Sequence, residues 1–265
     1  MPAPHTRFWL LLLLCALTLA LTGCPAISDS SPIVLTTGNW SVTAISSNSA
    51  IGTVYVGGNL TQSGSDLSGT MYVVGSQCFD VSQPVSFTGT VGGTNVTLVS
   101  ADVNGQVFSV AATARTDSAL TSGTYTIIGG CADGDNGTAT ANLVPSISGT
   151  WNGPITGSGG SSVTLSVALS QDAIASADGT FALTGSLVYT GSSCSVSGTI
   201  LSAFVAGPYI VLNANTVETD DSTGSFSYND VLLVDSQIPH NMRGSYQADS
   251  GLCAGDIQVL TLSKQ

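Results

Sequence analysis

Val163-Thr164-Leu165-Ser166-Val167-Ala168-Leu169-Ser170 alternates large apolar residues with small ones from end to end. Successive side chains of a β-strand point to opposite faces. This period of two therefore lines one face with Val163, Leu165, Val167 and Leu169 and leaves Thr164, Ser166, Ala168 and Ser170 on the other. One buried and one solvated face is the signature of an antiparallel sheet. Phe108, Val110, Ala112 and Ala114 oppose Val107, Ser109, Ala111 and Thr113 in the same way. Stripes at helical period are absent, and Gly, Asn and Asp punctuate the chain at short intervals, as tight turns between antiparallel strands require.

Counting such runs predicts strands at 39–46, 53–62, 67–75, 85–91, 95–102, 106–116, 122–129 and 138–144. A second set follows at 150–157, 163–171, 180–190, 195–205, 208–218, 224–235, 242–249 and 256–263. The two sets carry the same landmarks in the same order. Gly38-Asn39-Trp40 matches Gly149-Thr150-Trp151, and Leu60-Thr61-Gln62 matches Leu169-Ser170-Gln171. Leu67-Ser68-Gly69-Thr70-Met71 and Leu183-Thr184-Gly185-Ser186-Leu187 each begin 11 residues before a cysteine (78 minus 67; 194 minus 183). Gly123-Thr124-Tyr125 and Gly244-Ser245-Tyr246 precede the second cysteine of each set. The chain is thus a duplication whose loops have changed length, with one all-β unit at 38–146 and another at 147–265.

Eight sequential hairpin-linked strands that open on Gly-x-Trp, at Trp40 and Trp151, resemble the up-and-down barrels of the calycin type, the lipocalin and avidin architecture. The resemblance implies two tandem antiparallel eight-stranded barrels, open or flattened, and brings no binding residue with it. Two immunoglobulin-like sandwiches are the alternative. Cysteine spacings of 53 (131 minus 78) and 59 (253 minus 194) suit them. The core Trp of such a sandwich stands between the two cysteines, however, whereas here each Trp precedes both. A membrane-spanning barrel would show aromatic girdles, and only 6% of this chain is aromatic.

Cys78, Cys131, Cys194 and Cys253 are an even set without any Cys-x-x-Cys, which reads as disulfides formed in an oxidising compartment. Duplication favours Cys78 with Cys131 and Cys194 with Cys253, because a copied unit that folds alone carries its own staple. In an up-and-down barrel, strands three and seven deliver their loops to the same end. Each bridge therefore crosses one mouth and narrows it, favouring a plug over an open cup. By loop entropy each closure contributes at most about 4 kcal/mol.

The N-terminus fixes the compartment. Arg7 supplies a positive start, Phe8 to Leu21 is an uncharged run of signal-peptide length, and Leu21-Thr22-Gly23-Cys24 resembles the lipobox of bacterial lipoproteins. That resemblance implies removal of residues 1–23 and acylation of Cys24 with palmitate-like chains; the polar stretch that follows, with its Ser28-Asp29-Ser30-Ser31-Pro32, reads from composition as a tether over residues 24–37. Two or three acyl chains anchor firmly where one would not. Pro25 stands where an Asp would signal inner-membrane retention, so the outer membrane is the expected address. Loss of Arg7 takes the net charge from -12 to -13, leaving Arg115, Arg243 and Lys264 as the only Lys or Arg residues. So few cations exclude nucleic acid as a partner and leave membrane attachment to the lipid.

Residues able to carry chemistry are few. His240, the one histidine after the signal segment, lies in Ile238-Pro239-His240-Asn241, with no Gly-x-Ser-x-Gly elbow anywhere in the chain. Asp133, Asp135 and Asn136, spaced around glycines, are a weak calcium candidate that lacks a closing Glu. Glu218, Asp220 and Asp221 are near neighbours, as paired carboxylates of glycoside hydrolysis would be, yet Asp-Asp-Ser-Thr-Gly also reads as a hairpin turn. None of these patterns calls for a cofactor. The expected protein is a non-enzymatic envelope lipoprotein serving as a structural or binding module, its protein or small-molecule partner unspecified. A small-ligand carrier using a barrel cavity is the alternative and a hydrolase the third reading. Cys24→Ser is expected to release the folded protein from the membrane fraction. A variant cleaved after Gly23 that still sediments with membranes overturns the anchor.

Overall fold

The computed structural model describes residues 33–76, 78–79, 83–156, 162–231 and 241–265. The first eight strands are β1 (Gly38–Ser46), β2 (Thr53–Ser63), β3 (Asp66–Val74), β4 (Val85–Gly92), β5 (Asn95–Ser100), β6 (Val107–Thr116), β7 (Ala119–Ile128) and β8 (Asn136–Leu143). The second eight are β9 (Gly149–Thr156), β10 (Ser162–Gln171), β11 (Phe181–Thr190), β12 (Ser195–Ala206), β13 (Tyr209–Glu218), β14 (Thr223–Val231), β15 (Asn241–Ser250) and β16 (Ile257–Lys264). Each set is ordered sequentially, and first pairs with last: β1 lies antiparallel to β8, and β9 to β16. These are two closed up-and-down barrels. That closure removes the sandwich alternative, because a sandwich leaves two sheets with free edges. The only helical element among the described residues is a 3-10 turn, Gly130–Ala132.

Alternation does what the sequence requires of it. Leu165, Val167 and Leu169 point inward and are buried, as are Phe108, Val110, Ala112 and Ala114 in the other barrel. Eight strands enclose a space that side chains just fill. In barrel 1 the filling is aromatic: Phe108 stacks on Tyr125 with centroids 5.4 Å apart and meets Phe87 edge-on at 6.3 Å.

The ends that strands cannot close are sealed by the repeated landmarks. At the base of barrel 1 the Trp40 indole N–H donates to the Thr36 carbonyl at 2.8 Å, and the Leu35 N–H donates to Gln62 Oε1 at 2.7 Å, with Leu35 buried between them. At the base of barrel 2 the Trp151 indole donates to the Ile147 carbonyl at 2.9 Å, and the Ile147 N–H donates to Gln171 Oε1 at 2.9 Å. Ile147 is fully buried. Residues 33–37, read from composition as the end of the tether, are therefore part of barrel 1. The apolar Leu35 is drawn into its base, and Ile33 donates its N–H to the Gly93 carbonyl.

Barrel 2 docks its base against the outer wall of barrel 1. The turn Gly207-Pro208 between β12 and β13 enters beside Gly57 on β2, where a Cβ on Gly57 would stand 2.5 Å from the Gly207 Cα. The buried Asn39 side chain clasps that turn: its Oδ1 accepts from Gly207 N at 2.5 Å and its Nδ2 donates to Gly207 O at 3.3 Å. Asn59 N donates to Gly179 O at 3.1 Å in the β10–β11 loop. Outside both barrels, Tyr72 stacks on Phe204 at 5.8 Å, Tyr209 closes the cluster, and the Tyr72 hydroxyl donates to Asp178 Oδ2 at 3.4 Å. Burial, and after it the Asp178 charge, push the Tyr72 hydroxyl above its ordinary pKa, so it remains a donor. The linker is pinned at both ends, Val144 N donating to Asn39 O and Ile147 serving as the base plug.

Gly57→Val is expected to cost about 1–3 kcal/mol through overpacking and to broaden the inter-barrel distances seen by small-angle scattering. Gly92→Ala has open space around it and should change stability by less than about 0.5 kcal/mol. Equal effects of the two would show that the close approach at Gly57 does not hold the junction.

Candidate functional site

The end of each barrel opposite its base is its mouth, and a disulfide crosses it. Cys78 and Cys131 have Cα atoms 5.7 Å apart, and Cys194 and Cys253 are 5.9 Å apart. Both separations fit the geometry of the bond, and each bridge joins the loop after its barrel's third strand to the loop after its seventh.

The two mouths differ beneath their bridges. In barrel 1 the Gln106 side chain is buried under the disulfide, donating through Nε2 to Cys78 O at 2.7 Å and accepting Ala132 N on Oε1 at 3.3 Å. Phe79 is buried beside it, and Cys78 packs on the core. Asp135, 7% exposed, sits at the same end and is fully engaged: Ser46 Oγ donates to Oδ1 at 2.6 Å and the Tyr125 hydroxyl to Oδ2 at 2.9 Å. Barrel 1 is plugged.

Barrel 2 keeps a cavity of about 180 Å³ under its bridge. Its floor holds Glu218, 2% exposed, at the end of β13. Thr216 Oγ1 donates to Glu218 Oε1 at 2.5 Å, and Ser195 Oγ donates to the same oxygen at 3.1 Å. Two glycines clear the space for this carboxylate. A Cβ on Gly251 would lie 3.0 Å from Glu218 Cδ, and one on Gly224 would collide with Glu218 Oε1. The bridge is tied to the same strand end, since Thr219 N donates to Cys194 O at 2.6 Å. Tyr189, Phe226, Asp256 and Gln258 complete the walls that matter for chemistry.

The residues singled out in the sequence fall as follows. Asp133 accepts Gly129 N on Oδ1 at 2.7 Å and shapes the turn after β7, while Asn136 Nδ2 donates to Gly134 O at 3.0 Å. Those two, with the engaged Asp135, are occupied by local structure. Among the described residues no group of three or more His, Cys, Asp or Glu side chains is placed to hold a metal. Glu218 lies inside barrel 2, but Asp220 and Asp221 sit in the exposed turn beyond it, so adjacency in sequence does not become a carboxylate pair. Ser222 bonds Asp220, side chain first and backbone second, holding it below the ordinary carboxylate range. His240 and Cys24 lie outside the described residues.

Sequence reasoning passed over Gln106, Thr216 and the two glycines. For Glu218 the signal was available: counting by two along β13 from Ile210 through Leu212, Ala214 and Thr216 puts it on the buried face. The chain matches no protein-family profile, and neither a curated protein nor a solved structure matches it.

Thr216→Val keeps the shape of the side chain and removes one donor from the buried carboxylate. It is expected to lower stability by about 1–3 kcal/mol in denaturant unfolding. No loss would show that the bond to Glu218 contributes nothing net.

Proposed function

We propose that the chain is a lipid-anchored protein of the bacterial cell envelope, attached through Cys24 and most consistent with the outer membrane, that acts without catalysis as a rigid two-barrel binding module. The observation that carries this reading is the division of labour between the copies. Barrel 1 is filled, plugged at both ends and clasps a turn of barrel 2, whereas barrel 2 docks by its base and leaves its disulfide-bridged mouth on the far side. Four cysteines paired within their own barrels suit an oxidising compartment. The lipobox-like Leu21-Thr22-Gly23-Cys24 suits one that is reached by export.

A small-ligand carrier is the second reading, and the cavity under the Cys194–Cys253 bridge favours it for barrel 2 alone. At about 180 Å³ this space falls below the ~300 Å³ at which drug-sized ligands begin to fit, so its cargo would be small. Separation of envelope fractions on a density gradient tests the address. The palmitate-labelled chain is expected in the outer-membrane band, and recovery with the inner membrane or as an unlabelled soluble chain overturns it.

A further inference from the structure

We infer that the mouth of barrel 2 binds a small organic ammonium ion, with Glu218 as its counter-charge; this rests on the carrier reading of that cavity. The charged residues lining the space, among those described, are Glu218 and Asp256, both acidic, and no Lys, Arg or His lines it. The cations among the described residues stand elsewhere. Lys264 is at the base, donating to Ser146 O at 3.1 Å and lying 5.8 Å over the Trp151 ring. Arg243 is exposed on the outer side of β15, and Arg115 is exposed on barrel 1. A carboxylate almost wholly withdrawn from water is costly unless a positive charge accompanies it, and none of the described residues lining this cavity supplies one.

The sister barrel shows what the same fold does when it needs no ligand. There a neutral amide, Gln106, and the ring of Phe79 fill the mouth. Its acid Asp135 corresponds to Asp256: the carbonyls of both accept a backbone N–H from the seventh strand of their barrel, from Ile127 and Ala248 respectively. Asp135 is satisfied there by two hydroxyls, those of Ser46 and Tyr125. Barrel 2 thus lines the space under its bridge with two acids, Glu218 and Asp256, where barrel 1 buries one, Asp135, beside a plug.

Size and lining select an organic ammonium over a bare ion. A space of about 180 Å³ is many times what one water occupies. The rings of Tyr189 and Phe226 offer apolar and π surface for a hydrocarbon body and its cationic head. Ser195 and Thr216 hold Glu218 by one oxygen, and the Ser225 hydroxyl of the rim, bonded to that of Ser250, can accept a further ammonium N–H.

The test titrates the full chain in detergent with propylammonium chloride, 1-propanol and calcium chloride at matched ionic strength, followed by calorimetry and by NMR. The expected result is saturable propylammonium binding, with NOEs from its methyl group to the Tyr189 and Phe226 rings. Binding should be weakened at least about tenfold by Glu218→Gln, which keeps an acceptor for Ser195 and Thr216. Propanol bound as tightly as propylammonium, with the same NOEs, overturns the ligand class while the carrier reading stands. Calcium displacing propylammonium overturns it in favour of a metal site, and saturable binding of none of the three overturns both the inference and the carrier reading. Should Glu218→Gln fail to fold, the propanol comparison and the NOEs on the unaltered protein decide.

Discussion

A sheet closed on itself has no edges to protect but two ends to seal, and the seal at the base is what the rest of each barrel rests on. Strands satisfy their own backbone groups around the wall, yet the interior stays dry only if something apolar crosses the opening without stranding its own N–H and C=O. Leu35 and Ile147 do this because a Trp indole takes up a nearby carbonyl and a Gln side chain takes up the plug's N–H. The apolar plug is thus buried with its polar backbone paired, the arrangement in which burial is favourable rather than costly. Trp40 and Trp151 are almost completely buried, so each also supplies the largest side chain of its core.

The junction between barrels follows from a local absence of side chains. Positions such as Gly57 face outward from β2 and would ordinarily carry a solvated residue. Their bareness lets the Gly207 turn, at φ +57, come close enough for the Asn39 amide to bond both its N–H and its C=O. A two-point amide clasp fixes orientation as well as distance. The aromatic cluster of Tyr72, Phe204 and Tyr209 then covers the flank with area that either barrel alone would expose. Because the contact uses the base of barrel 2, its mouth is left unobstructed by barrel 1.

Much of this was legible because period two and duplication are strong signals. Alternation placed the strands to within a few residues and told inside from outside, and the repeated Trp, Leu-Gly and Cys landmarks fixed the pairing of Cys78 with Cys131 and of Cys194 with Cys253. Local composition misled where a single residue decides. Pro, Ser and Thr around residues 25–37 read as a tether, although one Leu at position 35 is enough to pull the segment's end into a barrel. The docking surface was illegible for a different reason: a glycine on an outer face and a Tyr at position 72 look the same whether or not a neighbour covers them. Glu218 was obscured by its own context, since Asp220 and Asp221 beside it invite a turn reading that is right for them and wrong for it.

The disulfides illustrate how one constraint yields two outcomes. Both bridges tie the loops of the third and seventh strands, and both draw opposite walls together at similar Cα separations. That is sufficient to narrow a mouth but not to fill it, because a bridge spans a gap with only two sulfur atoms and leaves the volume beneath to whatever the neighbouring loop provides. In barrel 1 the loop between β5 and β6 contributes Gln106, long enough to reach Cys78 and Ala132 at once. In barrel 2 the corresponding strand, β13, runs further and turns tightly over Thr219 and Asp220, so its last inward residue, Glu218, ends below the bridge and bonds sideways to Ser195 rather than upward across the mouth. The cavity is therefore a consequence of where the strand ends: lengthening β13 converts a loop residue that could plug into a strand residue that lines.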